Sequence, residues 1–216
     1  MKSFVITIQD LPESVECADR CIKSGKKYGL EIEHFYGITP RSVPSPLQIA
    51  DDEQIPLVSF REKYSRFENC LAAFLSHYSL WKLCAEDNQD YLIFEHDAVV
   101  MDSINEFQTF KGVLSYGAPS YGKFNTPPNL GVNKLVSKQY LPGAHAYRVK
   151  PKAAKVLVEE AKIKAGPTDL YLSNGNFDFI EEMYPWPVKA DDTFTTIQKQ
   201  EGCVAKHNNG LDYKIL

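Results

Sequence analysis

Asn69–Val100 reads NCLAAFLSHYSLWKLCAEDNQDYLIFEHDAVV, and this stretch decides the fold. Its first half carries apolar side chains at the i, i+3, i+4, i+7 spacing that puts them on one face of a helix. A second row with the same spacing lies one face over, so we expect this helix to pack on more than one side. The rows are Leu71, Phe74, Leu75 and Tyr78, and then His77, Leu80, Trp81 and Cys84.

The second half of the stretch predicts a buried strand. Polar, turn-prone residues at Glu86–Asp90 end the helical pattern, and the apolar run Tyr91–Phe94 follows directly. The run lacks the alternation that a strand with one exposed face shows. Such runs are typical of parallel strands covered on both faces, although four residues also fit a buried helical segment. We expect a central strand of a parallel sheet.

The beginning of the chain predicts a βαβ unit. Phe4–Ile8 is an apolar strand, and Ser14 is placed to cap a helix that runs to about Tyr28 and is stopped by Gly29. Leu30–Tyr36 is a second strand, so the first two strands are predicted to be parallel. Together with Tyr91–Phe94, this unit predicts an α/β fold: one Rossmann-type domain whose mostly parallel central sheet is flanked by helices.

Composition narrows the function classes. With 216 residues, of which 44% are hydrophobic, the chain can bury a full core, so we expect one domain over 1–216, with a polar tail from about 198. A net charge of −4 without a basic block disfavours nucleic-acid binding. No apolar run approaches the roughly 20 residues that span a bilayer. The apolar start at Phe4–Ile8 is too short for a signal peptide, which predicts a cytoplasmic protein.

Acidic residues follow the predicted central strand. Glu95, His96 and Asp97 emerge where open α/β sheets bind their ligands, at the carboxyl end of a strand. Two carboxylates two positions apart can face one Mg²⁺ or Mn²⁺ ion. If the extended backbone continues, His96 points to the opposite face and is structural. The spacing alone also fits a second interpretation, in which both acids cap the next turn.

These residues resemble a known family. Ser76-His77 on a helix, then Leu80-Trp81, then a strand that ends in acids, is similar to glycosyltransferase family 25, which includes lipooligosaccharide-type and procollagen-type galactosyltransferases. The family pattern ends its strand in Ile-Leu-Glu-Asp-Asp-Ala. This chain has Phe94–Ala98, Phe-Glu-His-Asp-Ala, so histidine replaces the middle acid and the outer two acids remain.

Two later blocks extend the resemblance. Gly143, Ala146-Tyr147 and the alanine pair Ala153-Ala154 match a glycine followed by Ala-Tyr and an alanine-rich helix. Pro167 and Asp169 match a Pro-x-Asp directly after that helix. Three blocks in the family's order, spread over most of the chain, carry the resemblance further than any one block does.

The resemblance implies a GT-A fold and an activity. The expected enzyme moves a hexose, galactose or glucose, from a UDP-sugar to a saccharide or other hydroxyl acceptor, with inversion and with Mn²⁺ or Mg²⁺. Asp169 is the implied general base, and Glu95 and Asp97 are the implied metal ligands. The implied donor-binding residues are Ile8, Gln9, Tyr36, Ser76, His77, Gly143 and Tyr147.

Several roles stay open at this point. Asp169 also fits a helix cap, and the reserve candidates for the base are Asp191 and Asp192. His207 is a candidate to complete a metal shell, with an exposed histidine as the default interpretation. Ser115–Asn129, rich in Gly, Pro and aromatic residues, fits an acceptor lid or an irregular surface loop. The basic residues before the helix fit a solvated face or a diphosphate contact; they are Arg61, Lys63 and Arg66.

A rival function also stays open, a catalytically degenerate module that binds a nucleotide or a sugar. His96 replaces a family acid, and Glu13–Glu16 occupy a region in which the family has an arginine. A nucleotidyltransferase is disfavoured, because the loop Gln9–Ser14 lacks the glycine-rich, basic phosphate-binding sequence that such enzymes ordinarily need.

Overall fold

A computed structural model describes residues 1–61, 63–191, 193–199 and 214–216, and its centre is a seven-stranded sheet flanked by helices. The strands and helices, in chain order, are β1 (Lys2–Thr7), α1 (Pro12–Lys26), β2 (Glu33–Tyr36), α2 (Pro46–Asp52), α3 (Phe67–Asp87), β3 (Tyr91–Glu95), β4 (Ala98–Val100), β5 (Val113–Ser115), β6 (Gly131–Lys134), β7 (Ala146–Val149), α4 (Pro151–Lys164), α5 (Thr168–Tyr171), β8 (Ile180–Tyr184), β9 (Val188–Ala190), β10 (Phe194–Thr195) and β11 (Lys214–Ile215). The expected α/β class is confirmed.

The strand order of the main sheet is β2-β1-β3-β7-β5-β8-β6. The three strands β2, β1 and β3 form a parallel part of the sheet, since β1 pairs in parallel with both β2 and β3. Beyond β3 the sheet is mixed: β7 runs antiparallel to β3 and β5, β8 runs parallel to β5, and β6 runs antiparallel to β8. The carboxyl ends of β1, β2 and β3 therefore meet at one edge of the sheet.

Strand β3 is buried on both faces, which explains its uninterrupted apolar sequence. Tyr91 and Ile93 belong to the core that α3 and α4 cover. Leu92 and Phe94 belong to the opposite core, which α1 covers. Successive side chains of a strand point to opposite faces, so each face of β3 receives two apolar residues.

Helix α3 packs through both of its apolar rows. Phe74 lies at its centre with no exposed surface, and its ring centroid is 5.3 Å from that of Phe60, 5.7 Å from that of Trp81 and 5.4 Å from that of Tyr171. The helix ends at Asn88, whose left-handed backbone (φ 51°) turns the chain toward β3. The prediction of a helix buried on more than one side is confirmed.

The prediction for the start of α1 was wrong. The helix begins at Pro12, whose fixed φ suits a first-turn position, and the Leu11 carbonyl accepts the N–H groups of Ser14 and Val15. Ser14 therefore lies inside the helix, where its hydroxyl accepts the Ile8 N–H at 2.9 Å. This hydrogen bond joins the end of β1 to the first turn of α1.

Part of the predicted polar tail forms a strand. β11 lies in this tail and pairs in parallel with β10, which comes just before the tail in sequence. Within the described ranges, no helix combines the length and the apolar character needed to cross a membrane.

We expect Phe74→Ala to lower the free energy of unfolding by about 3–5 kcal/mol, because truncation leaves a cavity among three aromatic rings. Leu83→Ala, at a position of the same helix that is 38% exposed, is the matched control, with an expected loss below about 1 kcal/mol. Urea denaturation measures both values. Equal losses for the two variants would contradict the placement of Phe74 at the centre of the core.

Candidate active site

A cavity of about 400 Å³ lies at the edge of the sheet where β1, β2 and β3 end. Its size falls in the range of small-molecule sites, and its position is the ligand site expected of an open α/β sheet. Helix α3 forms one wall. Six of the lining residues belong to the predicted site or lie directly beside it: Ile8, Gly37, Ser76, His77, Glu95 and His96.

A hydrogen-bonded array fixes the floor of this cavity. The Trp81 indole Nε1 donates to the Tyr147 hydroxyl at 2.8 Å, and the same hydroxyl lies 2.8 Å from Nδ1 of His77. Nε2 of His77 lies 3.1 Å from Oε1 of Glu95. The array ties α3 to β7 and to the end of β3.

The Trp81 indole donates at one end of the array, which is consistent with one direction of hydrogen bonding throughout. With an ionised Glu95 and a neutral His77, Nε2 donates to Glu95 and Nδ1 accepts. The Tyr147 hydroxyl then donates to Nδ1 and accepts from Trp81, which is a donor only. His77 is 1% exposed, so its ring is held in one orientation with one edge at the cavity.

Ser76 stabilises the cavity wall next to His77 through two hydrogen bonds. Its hydroxyl donates to the Ala72 carbonyl and accepts the Ile38 N–H, both at 2.8 Å. Gly37 packs directly on it, because a Cβ atom at Gly37 would lie 3.0 Å from Oγ of Ser76 and 3.0 Å from Cγ2 of Ile6. A side chain at position 37 would therefore displace this wall of the cavity.

His96 and Asp97 lie in the turn that follows β3. Strand β3 ends at Glu95, and His96 also lines the cavity, with its ring hydrogen-bonded to α1 while Glu95 is hydrogen-bonded to α3. His96 Nδ1 is 3.1 Å from Oγ of Ser14, and its ring stacks on Phe194 at 5.1 Å. Asp97 is not among the described lining residues, because the turn ends the extended geometry that would have aligned its carboxylate with that of Glu95.

The carboxylate of Asp97 instead acts on α1. Burial is the main cause that raises the pKa of the Cys21 thiol to about 12, and the negative charge of Asp97 adds to this shift. Its backbone carbonyl accepts the Asp191 N–H at 2.8 Å. Within the described ranges, no three His, Cys, Asp or Glu side chains gather in a way that could hold a metal ion.

The structure separates the predicted donor residues. Ile8 lines the cavity, but Gln9 is exposed and does not. Tyr36 is 56% exposed and stacks on His34 at the sheet edge, with ring centroids 6.0 Å apart. Tyr147 is fully buried, so it reaches the cavity only through His77.

Gly143 also lies away from the described cavity lining, and its role is local. Its backbone is left-handed (φ 90°), and a Cβ atom there would lie 2.8 Å from Oγ of Ser120. A glycine therefore lets the loop before β7 pass close to the loop that carries Ser120.

Asp169 lies in the first turn of α5, and Tyr121 is its main side-chain partner. The Tyr121 hydroxyl donates to Oδ2 of Asp169 at 2.7 Å, and the Leu170 N–H donates to Oδ1 at 2.9 Å. Burial raises the pKa of Asp169 above its ordinary value of 3.8, and the negative charge of Glu95 adds to the rise. The hydrogen bond from Tyr121 acts in the opposite direction. Asp169 itself is not among the described lining residues of the cavity.

The reserve residues are placed as follows. Asp191 forms an ion pair with Arg20 at 3.1 Å, and its side chain is 48% exposed, as is typical of a residue in a solvated turn. Asp192 and His207 lie outside the described residues. Of the three basic residues before α3, Arg66 alone is among the described lining residues, and its guanidinium donates to the Leu216 carbonyl.

Sequence reasoning missed two contributions. Arg41 also lines the cavity, 3.5 Å from Asp10, and it comes from a loop whose sequence gave no sign of contact with the strand ends. Tyr121 was noted only as part of a loop rich in aromatic residues, because its partner Asp169 is 48 positions away. Neither contact leaves a local pattern in the sequence.

Comparison with known proteins identifies a matching family. The model of the family described as Glycosyltransferase family 25 (LPS biosynthesis protein) matches residues 2–116, more than half of the 216-residue chain. The match spans β1 to β5 and includes Ser76, His77 and Glu95. It ends before Asp169. Among curated proteins, none matches this chain.

The raised pKa of Asp169 predicts a pH-dependent effect on stability. Because the pKa of Asp169 is raised above its ordinary value of 3.8, the folded protein binds the Asp169 proton more tightly than the unfolded chain does. The free energy of unfolding therefore falls as the pH rises from that value through the folded pKa. Asp169→Asn removes this loss. We therefore expect its free energy of unfolding, relative to wild type, to increase as pH rises.

Urea denaturation at a series of pH values from about 4 to about 8 measures this difference. Asp178→Asn, at an exposed position, is the control and should show no such trend. A difference between Asp169→Asn and wild type that stays constant or shrinks with rising pH would contradict a raised pKa.

Proposed function

The chain belongs to glycosyltransferase family 25, and we propose that it transfers a hexose, galactose or glucose, from a UDP-sugar to a hydroxyl group of a saccharide or similar acceptor. The observation that carries this proposal is the cavity at the ends of β1, β2 and β3. Its floor is the Glu95–His77 pair.

The cavity suits the nucleotide part of the donor. Ile8 and the backbone around Gly37 offer apolar surface and close approach, as a flat base and a ribose require. Arg41 and Arg66 supply two guanidinium groups at the same cavity, and guanidinium matches diphosphate oxygens in geometry and charge. His77 lies at the same cavity, where its Nε2 pairs with Glu95.

The proposed reaction is a single displacement. The acceptor oxygen attacks the anomeric carbon from the side opposite the diphosphate, and a new C–O bond forms with inversion. The bond between the anomeric carbon and the diphosphate oxygen breaks, and UDP leaves with the electron pair. Asp169 takes the acceptor's hydroxyl proton. Burial and Glu95 both raise the pKa of Asp169, which strengthens it as a base.

A divalent cation, Mn²⁺ or Mg²⁺, stays part of the proposal with a reduced set of ligands. Glu95 lines the cavity and Asp97 does not, so Glu95 is the carboxylate available there. This fits Mg²⁺, which often takes one or two carboxylates and completes its shell with substrate phosphates and water. Such an ion would supply Lewis-acid stabilisation of the departing diphosphate.

One rival function has a specific observation in its favour. His96 lies at the cavity where the family pattern has an acid, and Asp97 is not among the described lining residues. A degenerate module that binds a nucleotide or a sugar would share the cavity and lack the transfer step. Binding of UDP with neither hydrolysis of UDP-hexoses nor transfer from them would select this rival.

We expect Asp169→Asn to lower transfer at least about 100-fold and to leave UDP affinity within about twofold, because the base acts in the transition state and does not bind the nucleotide. Release of UDP from a panel of UDP-hexoses with saccharide acceptors measures transfer, and calorimetry measures affinity. Asp191→Asn is the matched control and should keep wild-type activity. Full activity in Asp169→Asn would remove this residue from the mechanism.

We expect Mn²⁺ to tighten UDP binding by about tenfold in wild type, and Glu95→Gln to abolish this gain. Asp97→Asn should retain it, because Asp97 is not among the cavity-lining residues. Calorimetric titrations with Mn²⁺ and with a chelator give the comparison. If Glu95→Gln keeps the Mn²⁺ effect and Asp97→Asn loses it, the assignment of the ligand is reversed.

A further inference from the structure

A lysine lies against two tyrosine rings beside Asp169. The ammonium nitrogen of Lys138 is 4.8 Å from the centroid of the Tyr121 ring and 5.5 Å from that of Tyr140. The two ring centroids are 6.4 Å apart, with 30° between their planes. We call these three residues the lysine–tyrosine cluster.

The backbone around the cluster is fitted to this lysine. The loop that carries Tyr121 is held to the segment that carries Lys138 by Asn125, whose N–H donates to the Ser137 carbonyl at 3.0 Å. A Cβ atom at Gly122 would lie 3.0 Å from the Lys138 nitrogen, and the backbone of Gly122 is left-handed (φ 68°). A glycine there leaves room for the ammonium group next to the ring faces.

Among the described residues, Lys138 forms no direct ion pair. The side chain is half-buried, and across residues 1–61, 63–191, 193–199 and 214–216 no ion pair within 4.0 Å involves it. An ammonium group offers three N–H donors, and the faces of the tyrosine rings attract it by cation–π interaction without accepting a conventional hydrogen bond. A partly desolvated cation of this kind binds a carboxylate or phosphate more strongly than a neutral hydroxyl.

The cluster lies beside the proposed base. One face of Tyr121 contacts Lys138, and its hydroxyl donates to Asp169 at 2.7 Å. Lys138, Tyr121 and Asp169 thus follow one another, which puts the cation one tyrosine beyond the group proposed to take the acceptor's proton.

We propose that the lysine–tyrosine cluster is an acceptor subsite for an anionic saccharide, one that carries a carboxylate or a phosphate group. Lys138 binds the anionic substituent, and the sugar hydroxyl to be glycosylated lies at Asp169. This inference rests on the proposed transfer reaction for the meaning of the site, but the binding it predicts can be measured without any turnover.

Ligand-observed NMR with UDP present tests the subsite. We expect wild type to bind methyl glucuronide or glucose 6-phosphate at least about fivefold more tightly than methyl glucoside. Lys138→Met, which keeps the aliphatic stem against the rings, should lose this preference and leave methyl glucoside binding unchanged. Lys138→Arg should keep it. Lys123→Met, at an exposed position of the same loop, is the matched control and should behave as wild type.

The charged sugar that binds more tightly than methyl glucoside identifies the anionic group of the acceptor, the carboxylate of a uronic acid or the phosphate of a sugar phosphate. Equal affinity for charged and neutral sugars in wild type would overturn the proposal, as would a preference that survives in Lys138→Met. Equal loss of binding to all sugars in Lys138→Met would also overturn it, because the lysine would then only brace the loop. Anion-selective binding without transfer from any UDP-hexose would leave the subsite standing and refute the proposed function alone.

Discussion

The hydrogen-bonded array Trp81–Tyr147–His77–Glu95 is the constraint on which the site depends. Tyr147 lies on β7, His77 and Trp81 lie on α3, and Glu95 is the last residue of β3, so one array joins three elements. Buried polar groups need partners, and within this array each donor meets an acceptor. The consequence is a fixed imidazole edge and a fixed carboxylate at the floor of the cavity.

Glu95 links the two halves of the site. On the donor side it accepts from His77 at 3.1 Å, and on the acceptor side its charge helps to raise the pKa of Asp169. Two carboxyl groups that share one region cannot both be ionised without cost. A divalent cation bound at Glu95 together with the donor would weaken this repulsion, whereas the negatively charged diphosphate alone would not.

The fold could be predicted from the sequence because local hydrophobic patterns show which faces of a helix or strand are buried. The rows of α3 and the run Tyr91–Phe94 indicate which faces are covered, and the βαβ order places the strand ends together. The turn after Glu95 could not be predicted from the sequence. Whether a strand continues for one more residue depends on tertiary pairing, here of β4 with β9. The same pairing places Asp97 in this turn, and it is not among the described lining residues of the cavity. The Tyr121–Asp169 contact joins residues 48 positions apart and follows only from the assembled fold.

The measurement that tests the central claim most directly is the amide ¹H–¹⁵N spectrum of the labelled protein with and without UDP. The proposed donor cavity predicts that the signals of Gly37, Ser76 and Glu95 shift together with a single affinity, and that those of helix α4 stay in place. A spectrum in which these three signals do not move, while UDP shifts signals elsewhere or none at all, would contradict the assignment of this cavity to the donor.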